Sequence, residues 1–359
     1  MRTAVVHDWL TGMRGGELVL EEILSLVPEP TIFTLFHFPG SVSRKIESFP
    51  IVTSFLQKLP VGPSNYRNFL PLFPRAVESF DLSGYDLVVS SSHCVAKGAR
   101  SGRAPHLCYC YTPVRYAYDQ FDAYFRRGET RLYALKKLAI ARLRRWDVRT
   151  AARVGRFVAI SARVSRRIAD AYGRESAVVF PPVDVEFYTP AGPADGGYAL
   201  CVNALVPYKR LDRAIEWSNR TGFPLRIVGS GPEEKRLRAL ASSSVSFERG
   251  LSREDLRERY RKCAFFLQPG EEDFGIASVE AQACGRPVVA LARGGVLDVV
   301  TSPDQGALFE SDSVDQILQA IDSLSRVGFN SPGARKNAER FSKERFRRDF
   351  SRELQATTS

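Results

Sequence analysis

Short apolar segments alternate with amphipathic segments along almost the whole 359-residue chain. The apolar segments include TAVVHD, DLVVSSS and HLCYCYT in the first half, and YALCVNA, LRIVGS and PVVAL in the second. Segments with helical periodicity, such as GELVLEEILSLV and DRAIEWSNRT, lie between many of them. Because parallel strands need a crossover that is usually a helix, this alternation predicts an α/β fold built from βαβ units.

A segment rich in Pro, Gly and Asp interrupts the alternation near the middle of the chain. It covers residues 181–197, PPVDVEFYTPAGPADGG, and has no clear helical period. Such composition is typical of a domain boundary. We therefore predict a first domain at 1–182, a linker at 183–197, a second domain at 198–340 and a charged terminal helix at 341–359.

Composition restricts the partners and the compartment. The formal net charge is +11 at pH 7, which favours anionic partners. No nucleic-acid partner is expected, because the arginines are dispersed and no recognised nucleic-acid module is present. The basic stretch at 141–157 has two open interpretations, a solvated helix surface and a contact with acidic lipid headgroups. No apolar run is long enough to span a bilayer and no signal peptide is evident, so we expect a cytoplasmic protein.

The six cysteines are expected to be buried free thiols, because most lie in apolar strand-like runs and cytoplasmic chains rarely keep disulfides. Neither they nor the four histidines have the spacing of a metal site.

Loops that combine glycine with polar residues follow the predicted strands. They are HDWLTGMRGGE, SSHCVAKG, YTPVRYAYD, NALVPYKR, GSGPEE and GEEDFGIASVE. In open α/β sheets, ligands bind outside the carboxyl ends of the strands. We therefore expect two Rossmann-like domains whose loop-bearing edges face each other across a cleft.

Several of these loops suit a phosphate. Gly15 and Gly16 open a helix after the first strand, and Gly231 has a similar position in the second domain. Glycines there let backbone amides approach an anion, although a plain tight turn needs them equally. Lys209 and Arg210 follow a strand, where they could neutralise a diphosphate or form surface ion pairs.

The segment 270–290, GEEDFGIASVEAQACGRPVVA, places Glu272 and Glu280 on either side of an apolar stretch. It predicts a helix whose first amides, near Phe274, Gly275 and Ile276, suit a phosphate. Glu272 lies in the loop before the helix and Glu280 inside it, on different faces. An acid near a helix N-terminus can also serve only to balance the helix dipole.

The segment EDFGIASVE followed by EAQACGRPVV resembles the signature of retaining GT-B glycosyltransferases, and of glycosyltransferase family 4 in particular. The resemblance extends over nearly the whole chain, through VVFPPVDVEFY, LVPYKRLD, VGSGPE and ARGGVLDVV in the expected order. The phrases HDWL, GGE and TPVRY resemble the bacterial O-antigen and exopolysaccharide branch, whose members are often mannosyl- or rhamnosyltransferases.

The resemblance implies a role for each matching residue. Glu280 would bind ribose hydroxyls, Glu272 would orient the donor sugar and Lys209 would bind the diphosphate, so that Glu272 and Lys209 carry catalysis. The remaining donor-binding residues would be Gly15, Gly16, Arg210, Gly231, Phe274, Gly275 and Ile276. No metal and no cofactor is implied, because cations and helix dipoles stabilise the leaving group.

Two positions depart from the family pattern. Tyr111 stands where the family usually has histidine, and Ala204 stands where it usually has arginine. Arg210 is a candidate replacement for the missing charge. His93, Tyr111 and Arg115 are candidate cleft residues.

The resemblance therefore implies a retaining hexosyltransferase, with mannose from GDP-mannose as the leading donor and a lipid-linked saccharide as acceptor. The protein would act peripherally on the inner face of the plasma membrane, in surface polysaccharide synthesis. Residues expected at that anionic surface are Arg126, Arg127, Arg142, Arg144, Arg145 and Trp146. The alternatives are a non-catalytic nucleotide-sugar-binding homologue, motivated by Tyr111 and Ala204, and a sugar-nucleotide epimerase.

Overall fold

The structure, a computed structural model, describes residues 1–63, 65–118, 130–192 and 197–359. Its contacts divide the chain into two compact units. The first comprises Met1–Pro182 and Phe346–Ser359, and the second comprises Val183–Arg345. Residue 183, where the predicted linker begins, is thus the first residue of the second unit.

The first unit contains a parallel sheet of seven strands in the order β3-β2-β1-β4-β5-β6-β7. The strands are β1 (Thr3–His7), β2 (Pro30–Thr34), β3 (Ile51–Thr53), β4 (Leu87–Ser92), β5 (His106–Cys110), β6 (Arg156–Ala159) and β7 (Ser176–Val178). β1 pairs with both β2 and β4, so the strand order reverses there. All residues of β1, β4 and β5 are buried, as expected for strands covered on both faces.

Helices connect these strands. They are α1 (Gly15–Leu26), α2 (Arg44–Glu47), α3 (Phe73–Glu78), α4 (Arg115–Tyr118), α5 (Thr130–Ala151) and α6 (Ala162–Tyr172), with 3₁₀ turns at Phe55–Lys58, Tyr66–Leu72 and Ala96–Gly98. An aromatic cluster fills the core on one side, where Trp9 lies 5.2 Å from Tyr66 and 6.0 Å from Phe73 between ring centroids. Burying each such side chain contributes about 1.5–3 kcal/mol before entropic costs.

The second unit contains a parallel sheet of six strands in the order β10-β9-β8-β11-β12-β13. The strands are β8 (Ala199–Val202), β9 (Leu225–Val228), β10 (Val245–Glu248), β11 (Phe265–Gln268), β12 (Val288–Leu291) and β13 (Gly306–Phe309). The helices are α7 (Leu211–Thr221), α8 (Glu234–Leu240), α9 (Arg253–Lys262), α10 (Ile276–Ala283), α11 (Val296–Val299), α12 (Val314–Val327) and α13 (Ser331–Ala338), with 3₁₀ turns at Pro207–Lys209 and Glu339–Phe341.

Helix α7 shows how the sequence pattern produces these elements. Leu211, Ala214, Ile215 and Ser218 are buried along one face, with the spacing of an amphipathic helix. The helix ends at Gly222, whose φ of 70° is the left-handed conformation that glycine adopts without strain. The predicted α/β architecture, with two Rossmann-like sheets, is confirmed.

The charged terminal helix predicted at 341–359 corresponds to α14, which runs from Lys343 to Thr358. α13 ends at Ala338, and a 3₁₀ turn covers Glu339–Phe341. Ser342 follows this turn, and its hydroxyl accepts a hydrogen bond from the amide of Arg345 at 3.2 Å and so caps α14.

Most of helix α14 belongs to the first unit, where the rings of Phe346 and Phe350 lie edge-on to Tyr109, with centroids 5.7 and 5.8 Å away. Six cysteines are buried free thiols, as predicted. Within the ranges that the structure covers, no helix is both long and apolar enough to cross a membrane.

Candidate active site

Lys209 and Glu272 meet at the carboxyl edge of the second sheet. Lys209 ends the 3₁₀ turn after β8, and Glu272 follows β11, the neighbouring strand. The Nζ atom of Lys209 forms an ion pair with Oε1 of Glu272, and their side chains are only 10% and 20% exposed. A lysine this buried is stable only with a counter-charge. The structure thus brings together the two residues predicted to carry catalysis.

The backbone of Glu272 is held by the loop after β12. The amide of Gly295 donates to the carbonyl of Glu272 at 2.9 Å, and Glu272 forms an isolated parallel bridge with Gly294. A Cβ atom on Gly294 would lie 2.1 Å from that carbonyl oxygen. Glycine is therefore required for this approach, which sets the position of the Glu272 carboxylate.

Close packing between two loops explains why residue 231 is a glycine. A Cβ atom there would lie 2.4 Å from the carbonyl oxygen of Leu205. At Gly229, in the same turn, a Cβ would lie 1.9 Å from the carbonyl oxygen of Asn203. Both glycines are required by the adjacent loop after β8, whether or not the turn also contacts phosphate, and the phosphate role of Gly231 stays a prediction.

Gly275 is the N-cap residue of α10 and has a left-handed conformation, with φ of 96°. The amide of Ser278 donates to the carbonyl of Gly275 at 3.0 Å. The amides of Ile276 and Ala277 precede the first bond within the helix and remain available for an anion. The side chain of Phe274 is buried and lies 5.4 Å from the ring of Phe341. Phe274 therefore anchors this turn and can offer only its backbone to a ligand.

Glu280 lies on the buried face of α10. The hydroxyl of Tyr260 donates to its Oε2 atom at 2.7 Å, and Tyr188 also hydrogen-bonds the carboxylate. Burial raises the pKa of Glu280 to about 7, although these two hydrogen bonds act in the opposite direction. In its ionised form, the carboxylate of Glu280 can accept hydrogen bonds from sugar hydroxyls as well as from tyrosine hydroxyls. The two tyrosines were missed, because neither position carries a spacing signal.

Arg210 is directed to two aspartates. Its φ of 51° is left-handed, and its guanidinium contacts Asp212, at 3.4 Å, and Asp312. Its charge is therefore balanced within the unit. The predicted replacement of the charge absent at Ala204 stays a prediction, and these contacts do not support it.

The candidate residues of the first unit lie at the carboxyl ends of β1, β4 and β5. His93 follows β4 and its Nδ1 atom lies 3.1 Å from Oδ2 of Asp8. Tyr111 follows β5, and its hydroxyl lies 2.9 Å from both the carbonyl oxygen of Gly16 and the hydroxyl of Ser91. Tyr111 therefore ties the start of α1 to β4.

The other predicted residues of this unit occupy the helix starts. Gly15 begins α1 and Arg115 begins α4, where its side chain is buried. A Cβ atom on Gly16 would make only an ordinary 3.7 Å contact with Tyr111, so packing within the unit does not require glycine there.

His7, Asp8 and Glu17 are buried titratable residues between the end of β1 and the first turn of α1, and they were not predicted. His7 lies 3.0 Å from the hydroxyl of Ser91 through Nδ1 and 3.7 Å from Glu17 through Nε2. Burial raises the pKa of Glu17. The hydrogen bond and charge of His7 and the local backbone lower it, and the resulting pKa is below the ordinary value. The segment HDWL was the available signal.

Trp146 was expected at a membrane surface, but the structure buries it. Its indole is buried, donates to Glu78 at 3.0 Å and covers Gly98, where a Cβ atom would lie 2.3 Å from the ring. Arg144 stacks on Tyr118 at 4.8 Å. Arg126 and Arg127 lie outside the described residues.

No group of three or more His, Cys, Asp or Glu side chains is placed to hold a metal ion in the part of the chain that the structure describes. The expectation of a donor site without metal or cofactor stays a prediction, as does the cleft between the two units.

Two family models match the chain. The model described as Glycosyltransferase Family 4 matches residues 29–187, and the model described as Glycosyl transferases group 1 matches residues 190–345. The boundary between the two matches lies close to the boundary between the two structural units.

Curated proteins similar to the chain carry glycosyltransferase names. A GDP-mannose-dependent monoacylated alpha-(1-6)-phosphatidylinositol monomannoside mannosyltransferase from Corynebacterium glutamicum is 33% identical, over 48% of this chain and 55% of that protein. A D-inositol 3-phosphate glycosyltransferase from Acidothermus cellulolyticus is 32% identical, over 49% of this chain and 48% of that protein. The chain thus spans about half the length of these relatives.

Among solved structures, HepE from Anabaena in complex with UDP superimposes with a TM-score of 0.70. The match covers 99% of this chain and 100% of that one, at 17% sequence identity. At this identity the likeness concerns the fold.

Proposed function

We propose that the chain is a retaining glycosyltransferase, which transfers mannose from GDP-mannose to a hydroxyl of a lipid-linked saccharide. The chain has a GT-B-like fold, a Glycosyltransferase Family 4 match at residues 29–187 and a Glycosyl transferases group 1 match at residues 190–345. The observation that carries this proposal is the buried pair of Lys209 and Glu272 beside the start of α10. The name of the relative from Corynebacterium glutamicum supports GDP-mannose, and the resemblance of HDWL and TPVRY to the O-antigen branch supports the acceptor.

In the proposed complex, the donor binds along the carboxyl edge of the second sheet. The diphosphate approaches Lys209 and the amides at the start of α10, where cation and helix dipole both favour negative charge. Glu272, which neutralises Lys209 in this structure, then accepts hydrogen bonds from the sugar hydroxyls. Glu280 accepts from the ribose, in exchange for part of its bonding to Tyr188 and Tyr260.

The reaction breaks the bond between the anomeric carbon and the diphosphate oxygen, and forms one to the acceptor oxygen on the same face. The proton of the acceptor hydroxyl passes to the departing diphosphate oxygen. Lys209 contributes most when negative charge develops on that oxygen, because a preorganised cation in a partly buried site stabilises the transition state more than the ground state.

We further propose that the first unit works at an anionic membrane surface. Arg142, Arg145 and Arg149 are exposed on α5, and their spacing places them on one helix face with Leu138, which is 48% exposed. Arginines flanking an exposed leucine suit acidic headgroups. Replacing the three arginines with glutamine should reduce partition onto vesicles with acidic lipid. Equal partition onto acidic and neutral vesicles would contradict this part of the proposal.

The donor is tested by thermal unfolding with a panel of nucleoside diphosphates and their sugars. A ligand at 100 times its dissociation constant adds about 2.7 kcal/mol to the folded state. We expect GDP-mannose to stabilise the wild type, and Glu280→Ala to lose that effect. The matched control is Glu216→Ala, at an exposed glutamate of α7 that pairs with Arg213, which should leave the effect intact.

A stabilising effect from another nucleotide sugar alone would replace GDP-mannose as the donor. Stabilisation by GDP-mannose without release of GDP, with any saccharide acceptor, is the result that the non-catalytic alternative predicts.

A further inference from the structure

The carboxylate of Asp8 is fully buried and accepts hydrogen bonds from four successive backbone amides. Oδ2 accepts from His93 at 2.7 Å and Cys94 at 2.9 Å, and Oδ1 accepts from Val95 at 2.6 Å and Ala96 at 2.8 Å. Four donors converging on one carboxylate hold it in a single orientation. Asp8 follows β1 and the four amides follow β4, so that this contact joins the carboxyl ends of two adjacent strands.

The imidazole of His93 is oriented by this carboxylate. Its Nδ1 atom lies 3.1 Å from Oδ2 of Asp8, and its ring packs edge-on against Trp9 with centroids 4.5 Å apart. Because Asp8 presents lone pairs to the ring, Nδ1 carries the hydrogen and Nε2 of the neutral imidazole carries a lone pair. Burial of the ring lowers the pKa of His93, and the charge of Asp8 raises it. The resulting pKa is below the ordinary value, which favours the neutral imidazole.

His93 is also reachable. One third of its side chain is exposed, and it lies at the carboxyl edge of a parallel sheet, where ligands bind in such folds. Tyr111 is the neighbouring candidate, but its hydroxyl already contacts the carbonyl of Gly16 and the hydroxyl of Ser91 at 2.9 Å each. His93 is therefore the better placed of the two to offer a hydrogen-bonding atom to a ligand.

We propose that His93 is a substrate-binding residue whose Nε2 atom accepts a hydrogen bond from a sugar hydroxyl, and that Asp8 is its positioning residue. The ligand class rests on the proposed function. The donor mannose and the acceptor saccharide share this chemistry, and separate titrations distinguish them.

The direct test is NMR of the histidine ring nitrogens in the wild-type protein. The chain has four histidines, so His93 is assigned by comparison with a single variant. We expect the Nδ1–H tautomer at pH 7.5 (about one unit above the ordinary histidine pKa). GDP-mannose and methyl α-D-mannopyranoside are then titrated separately. A shift of the Nε2 resonance with one of them supports the proposal and identifies the donor or the acceptor as its source.

Two substitutions separate binding from structure. In His93→Asn the amide N–H takes approximately the place of Nδ1 and keeps the bond to Asp8, but no group reaches the place of Nε2. In His93→Gln the longer side chain reaches approximately that place. We expect His93→Asn to fold and to lose roughly tenfold in kcat/KM for GDP-mannose and the mannoside, the effect of about one neutral hydrogen bond. His93→Gln should regain part of the loss.

The matched control is His37→Asn. His37 also pairs with a carboxylate, Glu47, at 3.1 Å in the same unit, and its replacement should leave kcat/KM unchanged.

Three results would overturn the proposal: the Nε2–H tautomer, an Nε2 resonance that neither sugar moves, or full activity in a folded His93→Asn variant. Failure of the donor assignment gives a different pattern, in which GDP-mannose does not stabilise the wild type. The tautomer and the mannoside titration still decide the role of His93 in that event.

Discussion

Replacing Glu280 with glutamine should make the folded protein more stable at alkaline pH. Burial raises the pKa of Glu280 to about 7 from the ordinary 4.5, so the folded state binds this proton more tightly than the unfolded state does. The stability that this group contributes is therefore complete below pH 4.5 and is lost as the pH rises through 7. At pH 8 the charged carboxylate costs the folded state about 3 kcal/mol.

Glutamine stays neutral at every pH and still accepts the hydrogen bond from Tyr260. We expect Glu280→Gln to gain up to about 3 kcal/mol in free energy of unfolding at pH 8 and close to nothing at pH 4. The measurement is denaturant unfolding of wild type and variant between pH 4 and pH 9, with the difference plotted against pH. This difference cancels the groups that the two proteins share.

The comparison variant is Glu17→Gln, whose effect should have the opposite sign. Burial raises the pKa of Glu17, but the hydrogen bond and charge of His7, the local backbone and the charge of His93 together outweigh it, so the pKa is lowered. Its stabilising contribution is present above pH 4.5 and is lost as the pH falls through the lowered value. Glu17→Gln should therefore be less stable than wild type at pH 7, and the difference should shrink in acid. A Glu280→Gln variant whose stability difference does not vary with pH would refute this reasoning.

Three further substitutions test other parts of the structure. Lys97→Met should lose about 3–5 kcal/mol of unfolding free energy, because it leaves the fully buried Asp147 without its cation. The control is Arg220→Met, which removes a mostly exposed ion pair with Asp315 and should lose less than about 1 kcal/mol. Lys209→Ala should lower kcat/KM at least about 100-fold in the GDP-release assay, because the departing diphosphate loses its cation. Gly229→Ala should lower the melting temperature more than Gly173→Ala, because both glycines have positive φ but only the first would place a Cβ against a neighbouring carbonyl.

Much of the fold follows from local patterns in the sequence. The apolar runs and the helical periodicities predicted both sheets, because strand and helix formation depend on which face of a short segment is apolar. The terminal helix was predicted at 341–359 and runs from Lys343 to Thr358. The start differs by two residues because Ser342 caps the helix, and a capping serine inside a charged helical pattern gives a weak signal.

The candidate site was also only partly predictable from the sequence. Lys209, Glu272 and Gly275 were predicted from loops at strand ends and from the family signature, and the structure places Lys209 against Glu272. Trp146 was wrongly expected at a surface, because the sequence does not reveal that Gly98 leaves room for its indole.

The sequence by itself determined the succession of strands and helices along the chain, the positions of the loops after the strands and the family signature around Glu272 and Glu280, since each is written in contiguous residues. Only the tertiary structure decided what those residues contact. The amide of His93 meets Asp8 across 85 positions of the chain, and Glu280 meets Tyr260 across 20. Such contacts depend on strand order and helix packing, which bring distant residues within hydrogen-bond distance and exclude water, and these two effects set the protonation and orientation of the candidate site.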